Sequence, residues 1–201
     1  MVNMLREHMD EEARIHYVIT KGGLAPNVVP EEAEVYYYVR HPNVEGVREL
    51  FNRVVKAGEG AAQGTETQMT FEVMHGNYPL MPNETLSVLL DEELKKLGGV
   101  SYTDEENLFA QELYKTLITP DRAIGDQETI QPLALSQTKG STDVGDVSWK
   151  VPTSGVRIAT WVPGTSSHSW QAVAAGGTSI GTKGSTLAAK ALANSAARLF
   201  E

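Results

Sequence analysis

Ala13-Arg14-Ile15-His16-Tyr17-Val18-Ile19-Thr20 and Ala33-Glu34-Val35-Tyr36-Tyr37-Tyr38-Val39-Arg40 flank a loop rich in Gly, Pro and Asn over residues 21–30. Both stretches alternate with period two, the signature of a strand buried on one face. In the first, Ala13, Ile15, Tyr17 and Ile19 share a face, against Arg14, His16, Val18 and Thr20 on the other. In the second, Ala33, Val35, Tyr37 and Val39 point inward. His41-Pro42-Asn43 breaks the pattern, and Val44, Val47, Leu50, Phe51, Val54 and Val55 then recur at helical spacing to about Gln63. Met69, Phe71 and Val73 predict a third strand. Met1 to Met9 reads as the end of a helix with no capping signal before it. The order helix, strand, strand, helix, strand predicts a ferredoxin-like unit over residues 1–76 without its first strand.

The character changes near Tyr78. Leu86, Leu89, Leu90, Leu94 and Leu97 form the stripe of a helix over 82–97, stopped by Gly98-Gly99. Thr103 with Glu106 three residues on is a capping box for a second helix running to about Ile118. Residues 119–155 lack periodicity and fit either a functional loop or a mobile linker. Val156 to Val162 reads as a buried strand, and Thr178 to Phe200 as an Ala-rich helix with Leu187, Ala188, Leu192 and Leu199 inward. The class expected is α/β, more specifically α+β, with a second domain over 77–201. Its single strand beside several helices predicts exposed apolar surface.

Bulk composition narrows the function. The net charge of −9 opposes a nucleic-acid footprint, which needs clustered Lys and Arg. The absence of cysteine excludes disulfides and thiolate chemistry. No apolar run of about 18 residues predicts a membrane span, and the first ten residues lack a signal peptide's basic start and apolar stretch. A soluble cytoplasmic protein is the expectation.

Five residues stand out. His168 lies in the small, polar turn Gly164-Thr165-Ser166-Ser167-His168-Ser169-Trp170-Gln171, where an imidazole is accessible to a metal; taken alone, such a histidine is more often an ordinary hydrogen-bonded one than a ligand. Zinc needs at least three protein ligands, and the chain does not obviously supply them. Asn27 in the loop and Arg40 at the strand end offer an amide and a two-pronged cation that would clamp a carboxylate if they met at one end of the sheet. The alternative is an Arg paired with a surface Glu. His16 is a strand-face histidine beside Arg14, and Asp143 belongs to the acidic loop Gly140 to Trp149. Gly177-Thr178-Ser179-Ile180-Gly181-Thr182-Lys183-Gly184-Ser185 fails the phosphate-loop spacing, because Thr182 separates Gly181 from Lys183. It reads instead as a polar turn opening the last helix.

Gly22 to Pro30 with Ala33 to Arg40 resembles the lid signature of aminoacylase-like metallopeptidases, dinuclear zinc or manganese amidohydrolases. Ser141 to Trp149, Gly164 to Gln171 and Thr178 to Lys183 resemble their aminobenzoyl-glutamate utilisation branch. The resemblance implies a lid and dimerisation domain followed by the C-terminal part of a zinc-peptidase-like catalytic domain. It implies Asn27 and Arg40 as substrate binders and His168 as the last metal ligand, with Asp143 and His16 as weaker candidates. The family's earlier metal ligands and its general base have no counterpart here, so no catalytic residue is expected within the chain. It is expected to be the C-terminal portion of a longer enzyme, a homodimer through its lid, inactive by itself. The substrate implied is a small N-acyl amino acid or aminobenzoyl-glutamate-like amide with a free carboxylate. The alternative is a dimerisation or carboxylate-binding module without chemistry.

Overall fold

The computed structural model describes residues 1–134 and 140–200. Residues 135–139, part of the aperiodic stretch above, lie outside the described residues. The described chain divides into two compact units, residues 1–80 with 140–149, and residues 81–134 with 150–200. Helices and one two-stranded sheet make it α+β.

In the first unit a short helix α1 (Val2–Leu5) leads into strands β1 (Arg14–Lys21) and β2 (Glu34–Arg40), which pair antiparallel, and then into helix α2 (Val44–Thr65). The core gathers Val2, Ala13, Ile15, Leu50, Val54 and Ala57, with Leu5, Met9, Tyr37 and Val39 against it. This is the face the alternation marks as apolar, but only its first half is covered: Tyr17 and Ile19 are 41% and 59% exposed. The Asn43 side chain starts α2 by accepting from Gly46 N at 2.7 Å. The backbone comes so close there that any side chain at Gly46 would strike the His41 ring.

The third strand does not form. Residues 66–83 carry no strand, and Phe71 turns onto Phe51 with ring centroids 5.9 Å apart while Met69 lies over Gly58. The aromatic and sulfur contacts to α2 take the place of a ladder on the ribbon. The ferredoxin-like expectation is corrected accordingly: among the described residues one ribbon carries all the strand structure.

The second unit holds α3 (Glu84–Leu97), α4 (Asp104–Tyr114), α6 (Trp170–Gly176) and α7 (Ser179–Arg198); the short α5 (Val144–Ser148) belongs to the first. The predicted capping box is present, with Thr103 N donating to Glu106 Oε2 at 2.8 Å and Glu106 N donating to Thr103 Oγ1 at 3.3 Å. Thr103→Ala should cost about 1 kcal/mol, seen as a lower urea midpoint with an unchanged slope. A midpoint equal to the wild type would show that the cap contributes nothing. Ala110, Leu113, Val162, Ala175 and Ile180 form the core, with Tyr102, Phe109, Tyr114 and Trp161 around it.

Two expectations fail in this unit. Residues 156–162 make no strand, because no neighbouring strand among the described residues offers a ladder, although Val162 is buried. The inner stripe of α7 is also displaced: Ile180, Gly181, Gly184, Ala191 and Ser195 are buried, whereas Leu192 and Leu199 are exposed. Exposed apolar surface is present as expected, including Leu108, Ile118, Val173 and Phe200. No helix among the described residues is long and apolar enough to cross a membrane.

Candidate functional site

His168 projects from a turn fixed at both ends. At its start, Gly164 has φ +79°, and a side chain there would collide with Pro120 and the Arg122 carbonyl. At its end, the Gln171 amide donates to the backbone oxygen and the hydroxyl of Thr116, both at 3.3 Å. Between them Ser169 caps α6, accepting from Ala172 N at 3.2 Å and donating to Ser166 O at 2.7 Å. His168 itself has φ +60°, a left-handed backbone that a histidine adopts at a cost. The Thr165 hydroxyl in the same turn is buried with no partner among the described residues. The left-handed backbone at His168 and the buried Thr165 hydroxyl thus lie within four positions of one another.

His168 lines a shallow, largely open surface depression of about 530 Å³ together with Trp161, Ser169, Trp170, Ala172 and Val173. Those indoles are functional candidates that sequence reasoning missed. The available signal was their position: two of the chain's three tryptophans lie at 161 and 170, either side of His168.

The other candidates belong to the first unit. Arg40 pairs with Arg14 at one end of the ribbon, while Lys21 pairs with Glu34 at the other. Asn27 sits in the exposed loop beyond that second end. Six residues along β2, at about 3.3 Å each, separate the two ends by roughly 20 Å. The sequence reading that brings Asn27 and Arg40 to one end of the sheet is therefore wrong, because a hairpin loop and the open end of its strands are opposite by construction. What gathers near Arg40 is aromatic. Its guanidinium carbon lies 5.4 Å from the Tyr38 ring centre, Tyr38 meets Tyr36 at 5.2 Å, and His75 lies 6.4 Å from Tyr38. A hydrogen bond with Tyr38 raises the Tyr36 phenol above its usual range. His16 faces Tyr38 across the ribbon on this exposed surface.

Asp143 is exposed at the start of α5, 3.5 Å from the Thr142 hydroxyl, and makes no cap bond. Asp146 is the structural carboxylate of that loop, accepting from Tyr78 N at 2.9 Å, and Trp149 Nε1 donates to Pro79 O at 2.8 Å. Nor does Lys183 wait for a phosphate. Thr178 caps α7, and Lys183 donates to Glu106 and to Ser101 O, as a polar helix opening would have it.

Among the described residues no three His, Asp or Glu side chains converge as a metal site. A zinc or manganese ion needs at least three such donors, so these residues alone do not fit one.

No family model matches the chain. It is 37% identical over 224 aligned positions to a p-aminobenzoyl-glutamate hydrolase subunit of Escherichia coli, an alignment covering 98% of the chain and 47% of that protein. It is 28% and 26% identical to the Xaa-Arg dipeptidases of Mus musculus and Homo sapiens, over 75% of the chain and 29% of each relative. The chain thus spans about half or less of the length of the curated relatives it matches. With 98% of its length aligned to an amidohydrolase and three quarters of it to dipeptidases, this chain belongs to the aminoacylase-like peptidase and amidohydrolase family.

Proposed function

We propose that the chain serves a metal-dependent amide hydrolase acting on N-acyl amino acids or aminobenzoyl-glutamate-like amides. The observation that carries this reading is the 37% identity, across 98% of the chain, to a protein named for hydrolysing p-aminobenzoyl-glutamate. The first unit acts as the lid, where Arg40 holds the substrate's free carboxylate through paired charged hydrogen bonds; Asn27, beyond the other end of the ribbon, does not reach the same small substrate within one chain. The second unit is part of the catalytic domain, and His168 supplies one donor to a divalent ion whose remaining ligands lie outside the described residues. The aromatic surround of Arg40 supports this assignment: the Tyr38 ring beside the guanidinium restrains it, so a planar anion meets it with less rotamer freedom left to lose.

Two measurements test it. Calorimetric titration with p-aminobenzoyl-glutamate should show affinity falling about ten-fold or more in Arg40→Ala, the worth of a lost charged hydrogen bond. No binding by the wild type, or equal affinity in both proteins, overturns the carboxylate role. The purified 201 residues with added zinc or manganese should release no p-aminobenzoate above the buffer rate. Metal-dependent release would overturn the dependence on further ligands.

A further inference from the structure

We propose that His41, held by Asp10, is a positioning residue for Arg40: the two side chains clasp the open end of the ribbon and keep the Arg40 guanidinium set for an anion. This rests on the carboxylate role given to Arg40 above.

The open end of a two-stranded ribbon is its weak point. Arg14 and Arg40 are the last pair there, and like charges directly opposite each other push the strands apart. The Arg14 guanidinium turns back on the chain before it, donating to Glu11 O at 2.5 Å and to Ala13 O at 2.6 Å. Arg40 instead lies over the Tyr38 ring. Residues 38 and 40 share a face only while the strand stays extended. Fraying of the last pair would therefore release the guanidinium from the ring.

His41 and Asp10 sit just outside that pair, one after β2 and the other before β1. The His41 side chain is 8% exposed, and its Nε2 lies 3.5 Å from Asp10 Oδ2. Nδ1 accepts from Asn43 N at 3.1 Å, so the neutral ring carries its proton on Nε2, the atom near Asp10. Asp10 in turn shapes the entry to β1, with Oδ1 accepting from Glu12 N at 2.9 Å and its backbone oxygen from Ala13 N at 3.0 Å. The Asn43 cap carries the connection on to α2, and the absence of a side chain at Gly46 leaves room for the ring. One run of contacts thus joins the start of β1, the end of β2 and the start of α2. It passes through the residue that follows Arg40.

The sign of the effect separates a clasp from a simple charge. By charge alone, removing a carboxylate close to an anion site tightens the anion. As a clasp, removing Asp10 loosens it. Asp10→Ala suits the test because that side chain is 57% exposed and its loss opens no cavity. One readout is calorimetric affinity for p-aminobenzoyl-glutamate. The other needs no ligand: the proton–nitrogen nuclear Overhauser effect at Arg40 Nε, which reports fast side-chain motion.

Asp10→Ala should weaken binding about five-fold, the worth of one side chain no longer held in place, and shift the Arg40 signal toward that of a flexible chain. In an Arg40→Ala background the same change should alter affinity by less than about two-fold. A loss of general stability would act in both backgrounds alike. Glu12→Ala removes the same charge outside the clasp and should not weaken binding. His41→Gln, whose amide nitrogen can stand where Nε2 does, should keep more affinity than His41→Ala. Unchanged or tighter binding by Asp10→Ala, a loss that persists without Arg40, or an unchanged Arg40 signal overturns the proposal. If wild type fails to bind p-aminobenzoyl-glutamate, the carboxylate reading falls, and the Arg40 signal alone decides whether Asp10 and His41 hold that side chain.

Discussion

Gly184→Val is expected to destabilise the second unit by about 3 kcal/mol, at the upper end for inserting methyl groups into a packed interior. Gly184 is buried on the inner face of α7. A side-chain carbon there would overlap the Ala159 carbonyl oxygen and lie 2.9 Å from Thr160 Cγ2 and 3.0 Å from the Ala159 carbonyl carbon. Two of those three atoms are backbone, so no rotamer change relieves the overlap, and α7 must move off residues 159–160. Gly184→Ala carries a sharper sign. Within a helix, Gly→Ala ordinarily gains up to about 1 kcal/mol. At Gly64 in α2, where nothing lies within 4 Å of the added carbon, that gain should appear. At Gly184 the same change should lose stability. Urea denaturation of the two alanine variants reads both signs, and a Gly184→Ala midpoint at or above wild type would show that the close approach is not real.

The same position explains what the sequence could and could not reveal. The capping box at Thr103 and Glu106 was legible because it is local, three residues apart and chemically specific. So was the stripe of α3, whose leucines at 86, 89, 90, 94 and 97 are all at least half-buried. The stripe of α7 was not. Its inner face uses Gly181, Gly184 and Ser195, which carry no apolar signal, while the visible leucines at 192 and 199 face out. Close backbone approach is a tertiary demand that hydrophobic periodicity does not encode. Strands fail for a related reason: the residues at 69–73 and 156–162 alternate acceptably, but a strand exists through its partner. The site shows the same division. His168 stands out by its small, polar turn, whereas Trp161 and Trp170 sit in no repeating pattern and come to line one surface depression with it only in the folded chain. Arg40 and Asn27 were mispaired because their separation depends on register, which Arg14↔Arg40 and Lys21↔Glu34 fix and composition does not.

Glu106 should control both the stability and the acid sensitivity of the second unit. Its carboxylate lies just beneath the surface, with the side chain 8% exposed. Oε2 accepts from Lys183 Nζ at 2.5 Å and from Thr103 N at 2.8 Å, and Oε1 accepts from Ser179 Oγ at 2.5 Å. The Lys183 bond, then the Ser179 bond, hold its carboxyl down to about 2, against an ordinary value of 4.5. Since the folded value is the lower one, this stabilisation is fully present above about pH 4.5 and is lost as the pH falls toward 2. Glu106→Ala removes the N3 partner of the cap and leaves Lys183 and Ser179 facing a void. Breaking a buried pair costs about 3–5 kcal/mol, but Lys183 retains some access to water, which lowers the expectation to about 2–3 kcal/mol. Glu106→Gln keeps an acceptor and discards the charge, so it should lose roughly half as much, about 1–1.5 kcal/mol. The decisive readout is the pH profile. Between about pH 4.5 and 2.5 the wild-type urea midpoint should fall more steeply than that of Glu106→Gln, and the two curves should converge at the acid end. Parallel curves would remove Glu106 as the titrating group. Convergence would also account for Lys183, the cation of a segment that superficially resembles a phosphate loop. It is the internal partner of Glu106, and the start of α7 that it anchors packs against α6, the helix that carries Trp170.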